Sequence, residues 1–126
     1  REPECELNPE TAAALGVSQG DWVSIETPRG KCRQKVKIFD GIDPRVVHAQ
    51  HGWWFPEDED GPDHGNWRSN ANTLTSMEPP YCSAMGTYQL RALLCKIVKA
   101  EDADIPWRPP IPERYDSNVA DVQEWK

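Results

Sequence analysis

Between Trp22 and Thr27 apolar and polar side chains alternate, with Val23 and Ile25 on one side and Ser24 and Glu26 on the other. A period of two is the mark of a strand that buries one face. The run from Lys31 to Phe39 alternates again, setting Cys32, Gln34, Val36 and Ile38 opposite Lys31, Arg33, Lys35 and Lys37. Pro28-Arg29-Gly30 lies between the two runs as a turn, so together they are predicted to form a β-hairpin. Upstream, Asn8 to Gly16 carries the punctuation of one short helix: Asn8 to cap the free amides, Pro9 at the first helical position, and Gly16 for a left-handed exit. Downstream, Asp40-Gly41 and Asp43-Pro44 are turn signals ahead of a short strand at Val46-Val47-His48-Ala49. In Tyr88 to Lys99 helix and strand patterns compete. Cys95 and Ile97, flanked by Lys96 and Lys99, favour a strand that begins in the core and ends in solvent. The pattern predicts an all-β fold with one or two short helices.

Composition narrows this picture. The chain has 126 residues, 14 Lys+Arg against 21 Asp+Glu, a formal charge of -7, 12 Pro and 6 Trp. That length suits one domain. No apolar run reaches the roughly 18 residues of a membrane-spanning helix, so direct membrane insertion is not expected, and the acidic balance argues against binding nucleic-acid backbone or an anionic membrane surface. Arg1 opens the chain with neither an initiator Met nor a signal-peptide pattern, which suggests a piece of a longer protein. From Glu101 onward Pro106, Pro109, Pro110 and Pro112 break any regular element. Residues 1–100 are therefore expected to form the domain, and 101–126 an extended or disordered tail. The stretch 57–63 is acidic and reads as an exposed loop; it lacks the spaced pattern of a calcium loop.

Two charge and thiol features have plain explanations. Arg29, Lys31, Arg33, Lys35 and Lys37 make a cationic row that could meet phosphate or an acidic partner. A solvated strand face guarded by lysines against edge pairing is the simpler reading. Cys5, Cys32, Cys82 and Cys95 are widely spaced and form no C-x-x-C pair, so neither a zinc knuckle nor a redox dithiol is indicated. Cys32 and Cys95 fall inside apolar strand-like runs, where a thiol acts as a small hydrophobe. This usage favours a reducing, cytoplasmic setting, with export of a parent enzyme as the alternative.

Candidate chemistry is concentrated in His51-Gly52-Trp53-Trp54-Phe55. Gly52 permits close backbone approach to a ligand, Trp53 and Trp54 offer flat faces and N–H donors, and His51 can donate or accept. Such groups suit the holding of a flat heterocycle rather than bond cleavage. Asn70 and Asn72, beside Thr75, could match the edge of a base or pterin ring, or could simply close turns on their own backbone. Arg91 could reach a phosphate or carboxylate, or cap a strand end. His48 and His51 point to opposite faces of a strand, so a shared metal is not expected, and His64 should be solvated. Nucleophile-elbow, phosphate-loop, zinc-protease and dinucleotide motifs are all missing.

The order of motifs is more specific than any of them alone. Asn-Pro-Glu-Thr-Ala-x-x-Leu-Gly (8–16), Gly-Asp-Trp-Val (20–23), Thr-Pro-Arg-Gly (27–30), Asp40-Gly41, His51-Gly52-Trp53-Trp54-Phe55-Pro56, Asn72-x-Leu-Thr (72–75) and Leu90-Arg-Ala-Leu-Leu-Cys95 follow one another. From residue 3 to about 100 this resembles the C-terminal molybdopterin-dinucleotide-binding domain of the dimethyl sulfoxide reductase family of molybdenum and tungsten enzymes. The resemblance implies a double-psi β-barrel of about six strands that caps a bis(guanylyl-molybdopterin) cofactor, bis-MGD, with Mo or W in a much larger parent. It puts His51, Gly52, Trp53 and Trp54 in a first cofactor-facing loop and Asn70, Asn72 and Thr75 in a second, with Tyr88 and Arg91 where a last loop enters the final strand. The metal would be held by the dithiolenes and by a residue of another domain. The parent would carry an iron-sulfur cluster, absent from this chain, and would work with its own remaining domains and with an iron-sulfur electron-transfer subunit. The His-Gly-Trp-Trp-Phe-Pro segment favours the anaerobic dehydrogenase, thiosulfate/polysulfide reductase or acetylene hydratase-like branch. Two rivals are a stand-alone double-psi enzyme of the pyruvoyl type, which would need a Gly-Ser dipeptide that this chain lacks, and a protein-interaction barrel.

Overall fold

The computed structural model describes residues 2–53, 65–76, 79, 81–89 and 91–100. The expectations for Trp54, His64, the acidic stretch 57–63 and the tail 101–126 lie outside these residues. Five strands are described: β1 (Glu4–Leu7), β2 (Trp22–Glu26), β3 (Lys31–Ile38), β4 (Val47–Ala49) and β5 (Lys96–Lys99). They form one sheet in the order β4-β1-β3-β2-β5, a curled, barrel-like all-β arrangement, against the six or so strands expected. β1 runs parallel to β3 and every other pair is antiparallel.

The hairpin forms as the alternation predicts, with Trp22 opposite Lys35 and Glu26 opposite Lys31. Val23, Ile25, Cys32 and Val36 go inward and meet Cys5 and Leu7 of β1, with Ala12, Val17 and Leu74 closing the core. Burial keeps the Cys5 and Cys32 thiols neutral, pushing each up to about 12. All four cysteines are free.

The helix α1 (Pro9–Leu15) also forms as its caps predict. The Asn8 side chain accepts from the Glu10 amide at 2.9 Å and donates to the Ile42 carbonyl at 2.7 Å, so the cap also fixes the loop ahead of β4. Gly16 exits at φ 65°, the left-handed conformation that favours glycine.

Three expectations are corrected. The lysine row does not guard an edge, because β3 is the central strand with neighbours on both sides. Its outward side chains are used locally instead. Arg33 and Lys35 lie 5.5 and 5.4 Å from the centre of the Trp22 ring, Lys35 pairs with Glu2, and Lys37 pairs with Glu6 at 2.9 Å. The last strand does not begin in the core near Tyr88 but only at Lys96. Ala92 sits at φ 56°, costly for a residue with a Cβ, and Leu94 is 92% exposed. Cys95 is accordingly exposed rather than buried. Finally, β1 has no counterpart among the predicted elements: four residues, Glu-Cys-Glu-Leu, are too few for a period to stand out.

Candidate functional site

Strand directions determine what meets at each end of the sheet. Chain enters at Glu4 of β1, Lys31 of β3 and Lys96 of β5, and leaves at Glu26 of β2 and Ala49 of β4. Register sets Glu26 beside both Lys31 and Lys96 at one end of the sheet, while β1 enters four residues further along β3, with Glu4 beside Lys35 and Cys5 facing Ala49. The chain that leaves β4 at one edge of the sheet therefore runs toward the end at which β5 is entered at the other edge. The 70–75 segment is tied to that same end: the Thr73 hydroxyl lies 2.9 Å from the Lys31 carbonyl, and the Thr27 hydroxyl donates to the Leu74 carbonyl at 2.9 Å. Three stretches carry the predicted site residues: 51–53, 70–75 and 88–91.

In the first stretch His51 and Gly52 are exposed. Gly52 has φ 73°, and a Cβ there would meet nothing within 4 Å, so the backbone's handedness rather than crowding calls for glycine. Trp53 is half-buried and lines an open pocket of about 470 Å³ with Glu2, Glu4, Lys35 and Gln50. Its indole Nε1 is buried and has no hydrogen-bond partner among the described residues. An N–H so placed costs about 1–3 kcal/mol unless something beyond the described residues accepts from it.

The second stretch divides its candidates. Asn70 caps the 3-10 turn Ala71–Leu74, its side-chain oxygen accepting from the Asn72 amide at 3.0 Å. The Thr75 hydroxyl donates to the Asn72 carbonyl at 3.0 Å. Both polar groups thus serve the turn, the simpler of the two sequence readings. Asn72 is exposed, and its carboxamide makes no hydrogen bond among the described residues. Just upstream, α2 (Asn66–Ser69) ends on a fully buried Ser69 whose hydroxyl has no partner among the described residues. Sequence reasoning misses Ser69, because a lone serine beside a run of asparagines gives no signal that could find it.

In the third stretch Tyr88 is half-buried and bridges to Tyr81. Arg91 lies exposed in a bend, with its carbonyl accepting from Gln89 Nε2 at 3.0 Å, and does not cap a strand. His48 points away from this end and meets Glu6 at 3.0 Å, which together with Lys37 holds the Glu6 carboxyl below its usual range. Among the described residues no group of three or more His, Cys, Asp or Glu side chains is arranged to hold a metal.

A curled sheet carries imidazole, indole and carboxamide groups on its connecting segments, and a buried indole N–H and a buried hydroxyl have no partner among the described residues, chemistry that suits a ligand-holding class of domain. The comparisons with known proteins name that class. The family described as "Molydopterin dinucleotide binding domain" matches residues 1–92. Dopamine dehydroxylase of Eggerthella lenta is 40% identical over 112 residues, 87% of this chain and 11% of that protein. The dimethyl sulfoxide/trimethylamine N-oxide reductase of Rhodobacter capsulatus is 30% identical over 73 residues, 57% of this chain and 9% of its own length. The solved acetylene hydratase from Pelobacter acetylenicus superposes with a TM-score of 0.73 at 29% identity, covering 79% of this chain and 14% of that one. The chain belongs to the molybdopterin dinucleotide-binding domains of the dimethyl sulfoxide reductase family, as its motif order implied. It spans about a tenth of the length of the dehydroxylase it matches. The stand-alone enzyme and the interaction barrel are not favoured.

Proposed function

We propose that this domain caps the pterin–dithiolene part of a bis(guanylyl-molybdopterin) cofactor inside a larger molybdenum or tungsten oxidoreductase, with residues 1–100 as the capping unit and 101–126 as a separate arm. The observation that carries the reading is the buried indole N–H of Trp53, one residue from Gly52, which has no partner among the described residues. A pterin edge is rich in acceptors and donors, so it supplies what this N–H and the Asn72 carboxamide lack among the described residues.

In this reading Trp53 donates through Nε1, Asn72 presents its donor and acceptor to the ring edge, and His51 offers a ring nitrogen from the exposed side. Gly52 keeps the backbone bare at the point of approach. Trp54 extends the aromatic cover, while Asn70 and Thr75 hold Asn72 in place through the turn. Tyr88 and Arg91 stand at the margin, Arg91 suited to a phosphate of the dinucleotide. When bound, the cofactor supplies the redox chemistry at its metal; the domain binds, orients and excludes water. An iron-sulfur cluster elsewhere in the parent, and an iron-sulfur subunit, complete the electron path, and the assembly works in the cytoplasm.

The test is made in the full-length enzyme with His51→Ala and Asn72→Ala. Molybdenum or tungsten content by mass spectrometry and pterin content by fluorescence are expected to fall severalfold in each, with this domain still folded. Normal metal and pterin content in both variants would overturn the assignment.

A further inference from the structure

Gln34 stands where the alternation of β3 calls for an apolar side chain. It lies between Cys32 and Val36 on the core face and is itself 0% exposed. A carboxamide in such a place is costly unless its polar atoms are satisfied. Both are satisfied, and by one residue: Nε2 donates to the Gln50 carbonyl at 2.6 Å, and Oε1 accepts from the Gln50 amide at 3.0 Å. Gln50 follows β4 and immediately precedes His51.

We propose that Gln34 is the positioning residue for the His51–Trp53 segment, its buried carboxamide clamping both backbone polar groups of Gln50 and so setting where the chain leaves β4 toward the cofactor. The proposal rests on the cofactor reading given above. Gln50 is gripped from a second side as well. Its side-chain oxygen accepts from the Glu4 amide at 3.1 Å, and its amide also reaches the Glu4 carbonyl at 3.2 Å. It then lines the same pocket as Trp53. The second site segment hangs from the same strand, through Thr73 and the Lys31 carbonyl. Lys31 and Gln34 both belong to the central β3, so one rigid element sets the spacing between the two segments. Because both hydrogen bonds fall on the residue just before His51, satisfying the buried carboxamide and setting the exit of the loop are one and the same contact.

Two variants of the full-length enzyme separate positioning from packing. Gln34→Met keeps length and volume and removes both hydrogen bonds; Gln34→Asn keeps the carboxamide one methylene short of Gln50. Hydrogen exchange is read in both, with metal and pterin content alongside. For Gln34→Met, amides 50–53 are expected to exchange about tenfold faster while β2 and β3 amides keep their rates, and cofactor content to fall by about threefold or more. Gln34→Asn should match it at 50–53. If Met behaves as wild type in exchange or in content, or if exchange rises across the whole sheet, the proposal is overturned. Full content in Gln34→Met beside depleted His51→Ala and Asn72→Ala removes the clamp and leaves the cofactor reading standing. Full content in all three removes both.

Discussion

The two ends of the sheet are built on opposite rules. At the end occupied by α1, polar groups find their partners within the chain. Asn8 serves both Glu10 and Ile42, the Gln19 side chain accepts from the Ile38 amide at 2.7 Å, Leu7 accepts from the Phe39 amide at 2.9 Å, and Lys99 meets Asp21 at 2.8 Å. At the other end the backbone is equally well tied, through Thr27, Thr73 and Gln34, yet the side chains are not. Trp53 Nε1 and the Ser69 hydroxyl are buried without partners among the described residues, and His51 and Asn72 are exposed. Because buried polar groups are nearly always paired, these two look for partners beyond the described residues. The difference separates the half of the molecule that closes on itself from the half that the proposed function assigns to the ligand.

Three measurements test how sharp that division is. The largest effect is expected from Leu7→Ala, which empties a fully buried position at the α1 end. Urea unfolding of the chain should show a loss of about 2–5 kcal/mol. A loss as small as that of a surface substitution would mean that this end is not where stability resides.

Next comes alkaline pH. Cys5 and Cys32 have folded-state values pushed up by burial to about 12, from an ordinary value of 9.0. Above pH 9 the unfolded chain loses these protons while the folded chain keeps them, so stability is fully present below 9 and declines as pH rises toward 12. Cys5→Ala with Cys32→Ala, though less stable at neutral pH, should flatten that decline. An unchanged slope would place the thiols in contact with water.

The smallest effects form a matched pair of asparagines. Asn8→Ala removes a helix cap and should cost about 1–2 kcal/mol by the same unfolding assay. Asn72→Ala removes a carboxamide that makes no hydrogen bond among the described residues and should change stability by less than about 0.5 kcal/mol. Equal losses in the two would erase the distinction between the ends.

Sequence legibility follows the same division. The β2–β3 hairpin is readable because its signal is local: two period-two runs joined by Pro-Arg-Gly. The α1 helix is readable because Asn8, Pro9 and Gly16 each have a conformational reason to stand where they do. The family is readable from the order of motifs. What misleads is context. A lysine row looks the same on an edge strand and on the outward face of a central one, and only the pairing of β3 with both β1 and β2 decides between them. Tyr88 to Cys95 carries enough apolar residues for a strand, yet the positive φ at Ala92 and the exposed Leu94 keep it irregular until Lys96. Asn70, Asn72 and Thr75 look equivalent in sequence. The turn takes up the side chains of the first and third and leaves that of the second facing outward.

By itself the sequence determined the elements whose causes are local, since alternation, caps and turns act over a few residues. It also held the ordered motifs that mark the family. Only the tertiary structure decided that the chain leaving β4 runs toward the end where the 70–75 segment is tied and β5 is entered, because that depends on β1 running parallel to β3 and on β2 pairing with β5. Those pairings are between residues too distant in the chain for any local pattern to record. It also decided that Gln34, a polar residue with no distinguishing mark in an alternating run, closes on Gln50, since a side chain's partner across a core is set by packing and not by spacing.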